Sequence, residues 1–446
     1  MLNQQFQELK NTSMRFRTET ASQRIQKLIR IKKWVLLHEP EILAALKKDF
    51  AKPEFETTLT EIMPVIDEIN TVIKNLSTWM RSQHVPTPLT LLGHTSCIRY
   101  ENKGVVLIIS PWNYPFQLAI TPLITALAAG NTVVLKPSEL TGSTSNLMLQ
   151  LAQDCFSADE VLVVQGGKEI TEHLLQLAFD HVFFTGSTAV GRIIAKSCAE
   201  KLIPTTLELG GKSPTVIDTT ANLSDAAEKI FWGKFLNRGQ TCVAPDYVIV
   251  HESIHDEFVS KLKALSKKHT LDIQGQIISD HHQNRLNRLA LAQDSINFNQ
   301  TAVEVICTAD LNHPAMIDEI FGPLLPLLKY QTFSDLEKII SHYEKPLALY
   351  VFSKDKKFIS KVLNRFPSGG VGINSIIVHL GNHFLPFGGL GSSGMGRYHG
   401  YHGFLELSHQ RATIEQRYFK FLGRLMYPPY SPLKKSLLQC IRFLFF

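Results

Sequence analysis

An α/β fold with two successive parallel-sheet domains is what this sequence predicts, and three observations predict it. Between residues 104 and 187, apolar β-rich runs of strand length alternate with segments of helical spacing. A second alternating set occupies 214–374, and the stretch TTLELGGKSP, with adjacent glycines Gly210 and Gly211, separates the two. Nearly continuous apolar strands belong in parallel sheets that are covered on both faces.

Residues 2–35 and 54–82 carry apolar side chains at helical spacing, as in Ile62, Val65, Ile66, Ile69 and Ile73, and are expected to cover the first sheet. That sheet begins with GVVLIIS, followed by a helix from Phe116 to Ala129, the strand NTVVLKP, a helix near 143–155, EVLVVQGG, a helix near 170–178 and HVFFTGS. This is the rhythm of a doubly wound, Rossmann-like sheet. The second set supplies strands at PTVID, YVIVHE, PLLPLLKY, LALYVFS and GGVGIN. Later, FLELSHQRATIE at 404–415 alternates weakly and reads as a strand for pairing across subunits, with 85–101 as its partner hairpin. At Gly210 and Gly211 the backbone can bend sharply or be approached closely, so a cleft there is the default place for a site.

With 446 residues, 44% apolar and 19% charged, the chain is long enough for at least two cores. Its 46 basic and 40 acidic residues are spread evenly, so a net charge of +6 offers no basic block for nucleic acid. Six cysteines, at 97, 155, 198, 242, 307 and 440, form no C-x-x-C pair and are too scattered for a disulfide scaffold, which points to a reducing, cytoplasmic setting without a metal site. The first twenty residues lack the apolar core of a secretory signal, and no run of eighteen apolar residues spans a bilayer.

The last stretch differs. Beyond Pro428, Pro429 and Pro432, the segment to Phe446 places Leu437, Leu438, Ile441, Leu444 and Phe445 at roughly helical spacing beside Lys435 and Arg442. Two readings stay open: a peripheral membrane contact, or a terminal helix docked on protein.

A nucleotide site is legible without the usual fingerprint. The first strand turn reads SPWNYPF rather than G-x-G-x-x-G. Instead HVFFTGS runs through Gly186, Ser187, Thr188, Ala189, Val190 and Gly191 into a helix. Free N–H groups and the helix dipole make such a turn either a resting place for pyrophosphate or simply a capped helix start. Lys136 and Glu139 lie just past the second strand, where a dinucleotide fold places the acid that bonds the adenosine ribose. A carboxylate there favours NAD, whereas Lys136 leaves NADP open.

Three residues carry candidate chemistry. Cys242, in NRGQTCVAPDY, lies in a turn bracketed by Gly239 and Pro245, which suits an exposed thiol more than a core cysteine. Glu208 sits in an apolar strand before the glycine pair: facing outward it is ordinary, but buried it has the raised proton affinity of a general base. Asn113, between Pro111 and Pro115, is either a turn-former or an amide aimed by a rigid loop. A thiol nucleophile, an oxyanion donor, a water-activating carboxylate and a nicotinamide are the inventory for oxidising an aldehyde.

The strings PWNYPF, LKPSE, FTGSTAVG, TLELGGKSP, GQTCVAPDY, EIFGPLLP and LPFGGLGSSGMGRYHG, in this order, resemble the aldehyde dehydrogenase superfamily, most closely its class-three branch of fatty-aldehyde and benzaldehyde-type enzymes. The resemblance implies NAD(P)-dependent oxidation of a medium- or long-chain aliphatic or an aromatic aldehyde through a thioester on Cys242. Glu208 would be the base and Asn113 the oxyanion donor. It further implies cofactor contacts at Lys136, Glu139, Gly186, Ser187 and Val190, with Glu319, Phe321 and Phe387 near the nicotinamide side; without it, both phenylalanines read as core. Residues 1–84 and 102–208 would form the NAD-binding domain, 209–400 the catalytic domain, 85–101 and 401–420 the oligomerisation strands, and 421–446 a tail. Because the chain lacks the longer N-terminal arm of tetrameric relatives, a homodimer is the expectation. It departs from the family between Ser279 and Glu319, where a shorter segment puts a local strand and part of the substrate wall in doubt. Alternatives are a catalytically silent homologue and a CoA-acylating variant.

Overall fold

A computed structural model describes residues 2–291, 296–308, 310–418 and 427–445. Contacts divide the chain into two units, Met1–Trp79 with Asn102–Ser408, and Met80–Glu101 with His409–Phe446.

The larger unit holds two six-stranded sheets. In the first, Thr205–Glu208, His181–Thr185, Val105–Ile109, Thr132–Lys136 and Val161–Val163 lie side by side and parallel, and Gly394–Met395 adds an antiparallel edge beside Thr205–Glu208. The chain leaves Val105–Ile109 in one direction and returns on its other side, so the strand order reverses there. In open α/β sheets ligands bind beyond the carboxyl ends of the strands at such a reversal.

Helices Leu2–Phe16, Ala21–Leu37 and Met63–Trp79 supply cover, as the apolar spacing requires. Phe6 and Leu9 join Val105, Leu107, Val134, Val182 and Phe184 in one buried cluster. Each such side chain contributes roughly 1.5–3 kcal/mol of burial. Helix Gln117–Ala128 is buried on all sides. A π-helical turn at Thr58–Ile62 brings Glu61 inward, where it accepts the main-chain N–H groups of Phe116 and Gln117 at 3.1 and 2.8 Å. The start of that helix, and the loop before it, are thereby anchored.

In the second sheet all strands are parallel, in the order Glu304–Cys307, Leu324–Tyr330, Tyr247–His251, Pro214–Ile217, Ala348–Phe352 and Gly370–Ile373. Alternate residues feed opposite cores: Val248 and Val250 pack with Leu325 and Tyr350, while Tyr247 and Ile249 pack with Leu328 and Val351. The four inner strands are covered on both faces, which is why they read as unbroken apolar runs, whereas Cys307, Val371 and Ile373 in the edge strands are exposed. The strand left in doubt by the short 280–318 segment is present as Glu304–Cys307, although residues 292–295 and 309 lie outside the described residues.

In the smaller unit, Gln83–Val85 pairs antiparallel with His94–Asn102, and Ser408–Gln416 borders the latter. The late strand starts later than expected. Residues 404–406 end the helix Gly400–Glu406 instead, because Phe404 and Leu407 are drawn into the core. Ser408–Gln416 has one flanking strand, so its other edge is open among the described residues. The tail forms the helix Pro432–Phe445 with Leu433, Leu438 and Phe443 exposed. Residues 419–426 of the expected strand and tail segments, and Phe446, lie outside the described residues. No helix among the described residues is long and apolar enough to cross a membrane.

Candidate active site

Carboxyl ends of neighbouring strands in the first sheet deliver, in spatial order, Glu208, Gly186 with Ser187, the loop Pro111–Trp112–Asn113, and Lys136. The second sheet contributes from the opposite direction: Cys242 lies in the loop entering Tyr247–His251, and Glu319 and Phe321 in the loop entering its neighbour Leu324–Tyr330. Between these two sets lies a cavity of about 230 Å3, lined by Asn113, Gly186, Ser187, Glu208, Cys242, Glu319, Phe321 and Phe387. Eight expected site residues thus meet. Lys136, Glu139 and Val190 do not line it; Lys136 is buried and bonded to the Pro137 carbonyl at 3.0 Å and to Glu139 at 3.3 Å, while Glu139 and Val190 are exposed.

The loop holding Cys242 is built under strain. Asn237, Arg238 and Gly239 all have positive φ, and a Cβ on Gly239 would come within 2.4 Å of the Gly322 carbonyl. Buried hydrogen bonds hold it in place. Gln240 donates to the Asn237 and Gln276 carbonyls at 3.0 Å each and accepts from Ile278 N–H at 3.0 Å. Arg238 donates to the Phe298 and Thr301 carbonyls. The Asn237 side chain donates to the Asn113 carbonyl at 2.8 Å, and the Asn113 amide donates to the Gln240 carbonyl at 3.0 Å. Tyr114 and Thr241 share a 2.6 Å hydroxyl contact. Asn113 is therefore more than a turn-former: its amide is buried and locked to the backbone next to Cys242.

The thiol is not exposed, contrary to the expectation from its turn. Cys242 is half-buried, because Tyr350 bonds the Val243 carbonyl from below at 2.6 Å and the surrounding loop folds inward. Burial, with Glu319 and Glu208 as like-signed neighbours of the thiolate, pushes the thiol up to about 12. Cys155 and Cys198 are buried as small hydrophobes, their thiols pushed up to about 11 by burial.

Glu208 faces inward with 3% exposure, and neither of its oxygens finds a hydrogen-bond donor among the described residues. Burial, and then the charge of Glu406, hold its carboxyl well above the usual range. Glu319 rises to about 8, first through burial and then through Asp246. Its carboxylate lies against Gly210, where a Cβ would come within 2.1 Å of Oε2. Gly210 is thus needed for close approach and Gly211, at a φ of 154°, for the backbone bend, the two roles its sequence suggested.

Some cavity residues were not legible beforehand: Trp112, Leu118, His282, Arg285 and Tyr398. Trp112 stands beside Asn113 in PWNYP, so the motif itself was the available signal. Its ring packs edge-on against Phe321 at 5.4 Å and His282 at 5.1 Å. Phe321 holds a positive φ of 50°, and Phe387 stacks on His399 at 5.4 Å.

Fold and cavity define a two-sheet α/β protein that gathers a thiol, a donorless carboxylate and a fixed amide where a nucleotide-type sheet ends. The chain belongs to the aldehyde dehydrogenase family, whose family model matches residues 3–296 and 297–413. It is 42% identical over 429 residues to the 4,4'-diaponeurosporen-aldehyde dehydrogenase of Staphylococcus aureus, covering 93% of this chain and 94% of that one. It is 40% identical over 433 residues to the dimeric NADP-preferring aldehyde dehydrogenase of Rattus norvegicus, covering 94% and 95%. The substrate-bound structure of Staphylococcus aureus AldH superposes with a TM-score of 0.93 at 38% identity over 99% of both chains.

Proposed function

We propose that this aldehyde dehydrogenase oxidises a medium- or long-chain aliphatic or an aromatic aldehyde to its acid, with Cys242 as nucleophile, Asn113 as oxyanion donor and Glu208 as base. One observation carries the reading: residues 113, 208 and 242, distant in sequence, line one cavity. Trp112, Leu118, Phe321, Phe387 and Tyr398 make its walls apolar and aromatic, which suits a hydrophobic aldehyde.

The residues present fit an NAD(P) cofactor. Ser187 caps the helix Thr188–Ala199 at the cavity edge, leaving the N-terminal dipole toward it, and the half-buried Glu319 carboxylate faces the same space. Gly186, Ser187, Val190, Glu319, Phe321 and Phe387 would hold it, with Lys136 and Glu139 at the adenosine side. When bound, the nicotinamide supplies the hydride acceptor. The rest is the chain's own chemistry. The Cys242 thiol gives up its proton to solvent, the thiolate sulfur bonds to the aldehyde carbon as the carbonyl π pair moves onto oxygen, and that negative oxygen accepts from the Asn113 amide and the Cys242 N–H. Once the thioester exists, Glu208 takes a proton from water, the hydroxide oxygen bonds to the carbonyl carbon, and the C–S bond breaks to return sulfur to Cys242.

We also infer the division of labour: residues 1–84 and 102–208 bind cofactor, 209–400 carry the catalytic thiol, and 85–101 with 401–420 join two copies. The open edge of Ser408–Gln416 supports a homodimer, as does a relative named as dimeric. The exposed Leu433, Leu438 and Phe443 support peripheral membrane contact by the tail. Vesicle co-sedimentation of the full chain and of a chain ending before Pro428 tests that; equal sedimentation rejects it.

An aldehyde panel of increasing chain length, read as reduced nicotinamide with NAD and with NADP, tests the main reading. Cys242→Ala should abolish turnover while cofactor still binds. Retained turnover would reject the assignment, and acyl-CoA as the dominant product when CoA is added would reject water as acceptor.

A further inference from the structure

A second carboxylate stands behind Glu208. On a strand, residues two apart share a face, so Thr206 and Glu208 point the same way. The Thr206 hydroxyl donates to Glu406 Oε1 at 2.7 Å, which places the Glu406 carboxylate on the Glu208 side of the sheet. The opposite wall is shaped for it. Gly394 pairs with Glu208 and Met395 with Leu207, and at the next residue, Gly396, φ is 82° and a Cβ would come within 2.5 Å of Glu406 Oε1 and 3.0 Å of Thr206 Cγ2.

Thr206 does not act alone. His181, buried in the neighbouring strand, lies 2.8 Å from Thr206 Oγ1 through Nε2, and its Nδ1 lies 3.0 Å from Lys103 Nζ. The Lys103 ammonium has only protons to offer, so Nδ1 is the acceptor and Nε2 carries the hydrogen. Burial, and then Lys103, hold the His181 imidazolium well below its usual range, which keeps that tautomer neutral. A directional chain results: Lys103 donates to His181, His181 to Thr206, and Thr206 to Glu406. Every donor points toward the Glu406 carboxylate, fixing its position. Glu208, by contrast, has no donor of its own among the described residues. The ionisable groups that share its cavity include the Cys242 thiol and the Tyr398 hydroxyl, both raised in proton affinity by burial and by Glu208 itself, with Glu319, His282 and Arg285 on the facing walls.

We propose that Glu406 is a positioning residue for thioester hydrolysis: anchored by the Lys103–His181–Thr206 chain, it sets a second carboxylate on the strand face from which Glu208 takes the proton of water. This rests on Glu208 being the base. A like charge on the same strand face disfavours ionised Glu208 and strengthens the base that does form.

The test is deacylation of the acyl-enzyme made from nitrophenyl acetate, followed across the pH range in the full-length protein. Wild type should show an acid limb that Glu208→Gln removes. Glu406→Gln should move that limb to lower pH by about one unit and lower the plateau severalfold, since removing the like charge makes Glu208 easier to ionise but weaker as a base. Glu406→Asp, which keeps the charge, should restore the limb toward wild type, and circular dichroism with cofactor binding should report both variants folded. A limb that survives Glu208→Gln overturns the base assignment and this inference with it. A limb that needs Glu208 yet stays in place in Glu406→Gln, or shifts equally in Glu406→Asp, overturns this inference alone.

Discussion

The Asn113 side-chain amide donates to the Gln240 carbonyl at 3.0 Å, which ties the loop after the first strand of one sheet to the loop that carries Cys242. Because one amide hydrogen is spent on this tether, the other has a fixed direction. Asn113→Ala should lower kcat about 100- to 1000-fold, as loss of one oxyanion donor does, with little change in the cofactor's KM. A loss confined to KM would assign Asn113 to binding instead.

Cys242 is held as a thiol, at about 12, by burial and by the charges of Glu319 and Glu208. Since the reactive form is the thiolate, alkylation by iodoacetamide should be slow at neutral pH and accelerate as pH rises. Above the pH at which the raised Glu208 carboxyl ionises, removing that negative neighbour lowers the thiol's proton affinity, so there Glu208→Gln should be alkylated roughly 3- to 10-fold faster than wild type. Slower alkylation would mean that Glu208 activates the thiol by taking its proton.

Gly210 leaves the space that the Glu319 carboxylate occupies, at 2.1 Å from where a Cβ would stand. Gly210→Ala should displace Glu319 and raise the KM for NAD(P) roughly tenfold, about 1.4 kcal/mol, with thermal stability changed far less. Unchanged KM with a large loss of stability would show the contact to be purely structural.

Lys52 and Glu61 form a fully buried pair at 2.7 Å, and Glu61 also receives the Phe116 and Gln117 N–H groups. Glu61→Ala strands a buried ammonium and should cost about 3–5 kcal/mol in urea unfolding. Combining it with Lys52→Met should cost less than the sum of the single changes, because no charge is then left unpaired. Simple additivity would reject the coupling.

Glu139 is half-exposed and paired with Lys136 at 3.3 Å. A carboxylate beside the adenosine ribose repels a 2′-phosphate and restrains the lysine that would accept it. Glu139→Gln should raise the ratio of kcat/KM for NADP over NAD by roughly 3- to 10-fold. No change in that ratio would place the adenosine elsewhere.

Much of this protein was legible in order along the chain. Strands from GVVLIIS to LALYVFS appear where apolar β-rich runs promised them, because a strand buried on both faces is apolar at nearly every position, and GGVGIN follows as a partly exposed edge. The late strand was placed too early, since weak alternation at 404–407 cannot be told from a short helix whose Phe404 and Leu407 are buried. Cys242 was read as exposed because a glycine-bracketed turn ordinarily lies on the surface, whereas here Tyr350 and a strained, hydrogen-bonded loop enclose it.

By itself the sequence determined the two α/β sheets and the glycine junction, since these follow from local periodicity and residue chemistry, and the resemblance of its motifs nominated Cys242, Glu208 and Asn113 as candidates. Only the tertiary structure decided that Glu208 faces inward without a donor among the described residues, that Arg285 and His282 enter the cavity, and that Glu406, 200 residues from Thr206 in sequence, lies on the same face of that strand. Such facts depend on which elements pack together, and proton affinity depends on burial and on charges brought near by folding, neither of which is written in any one segment.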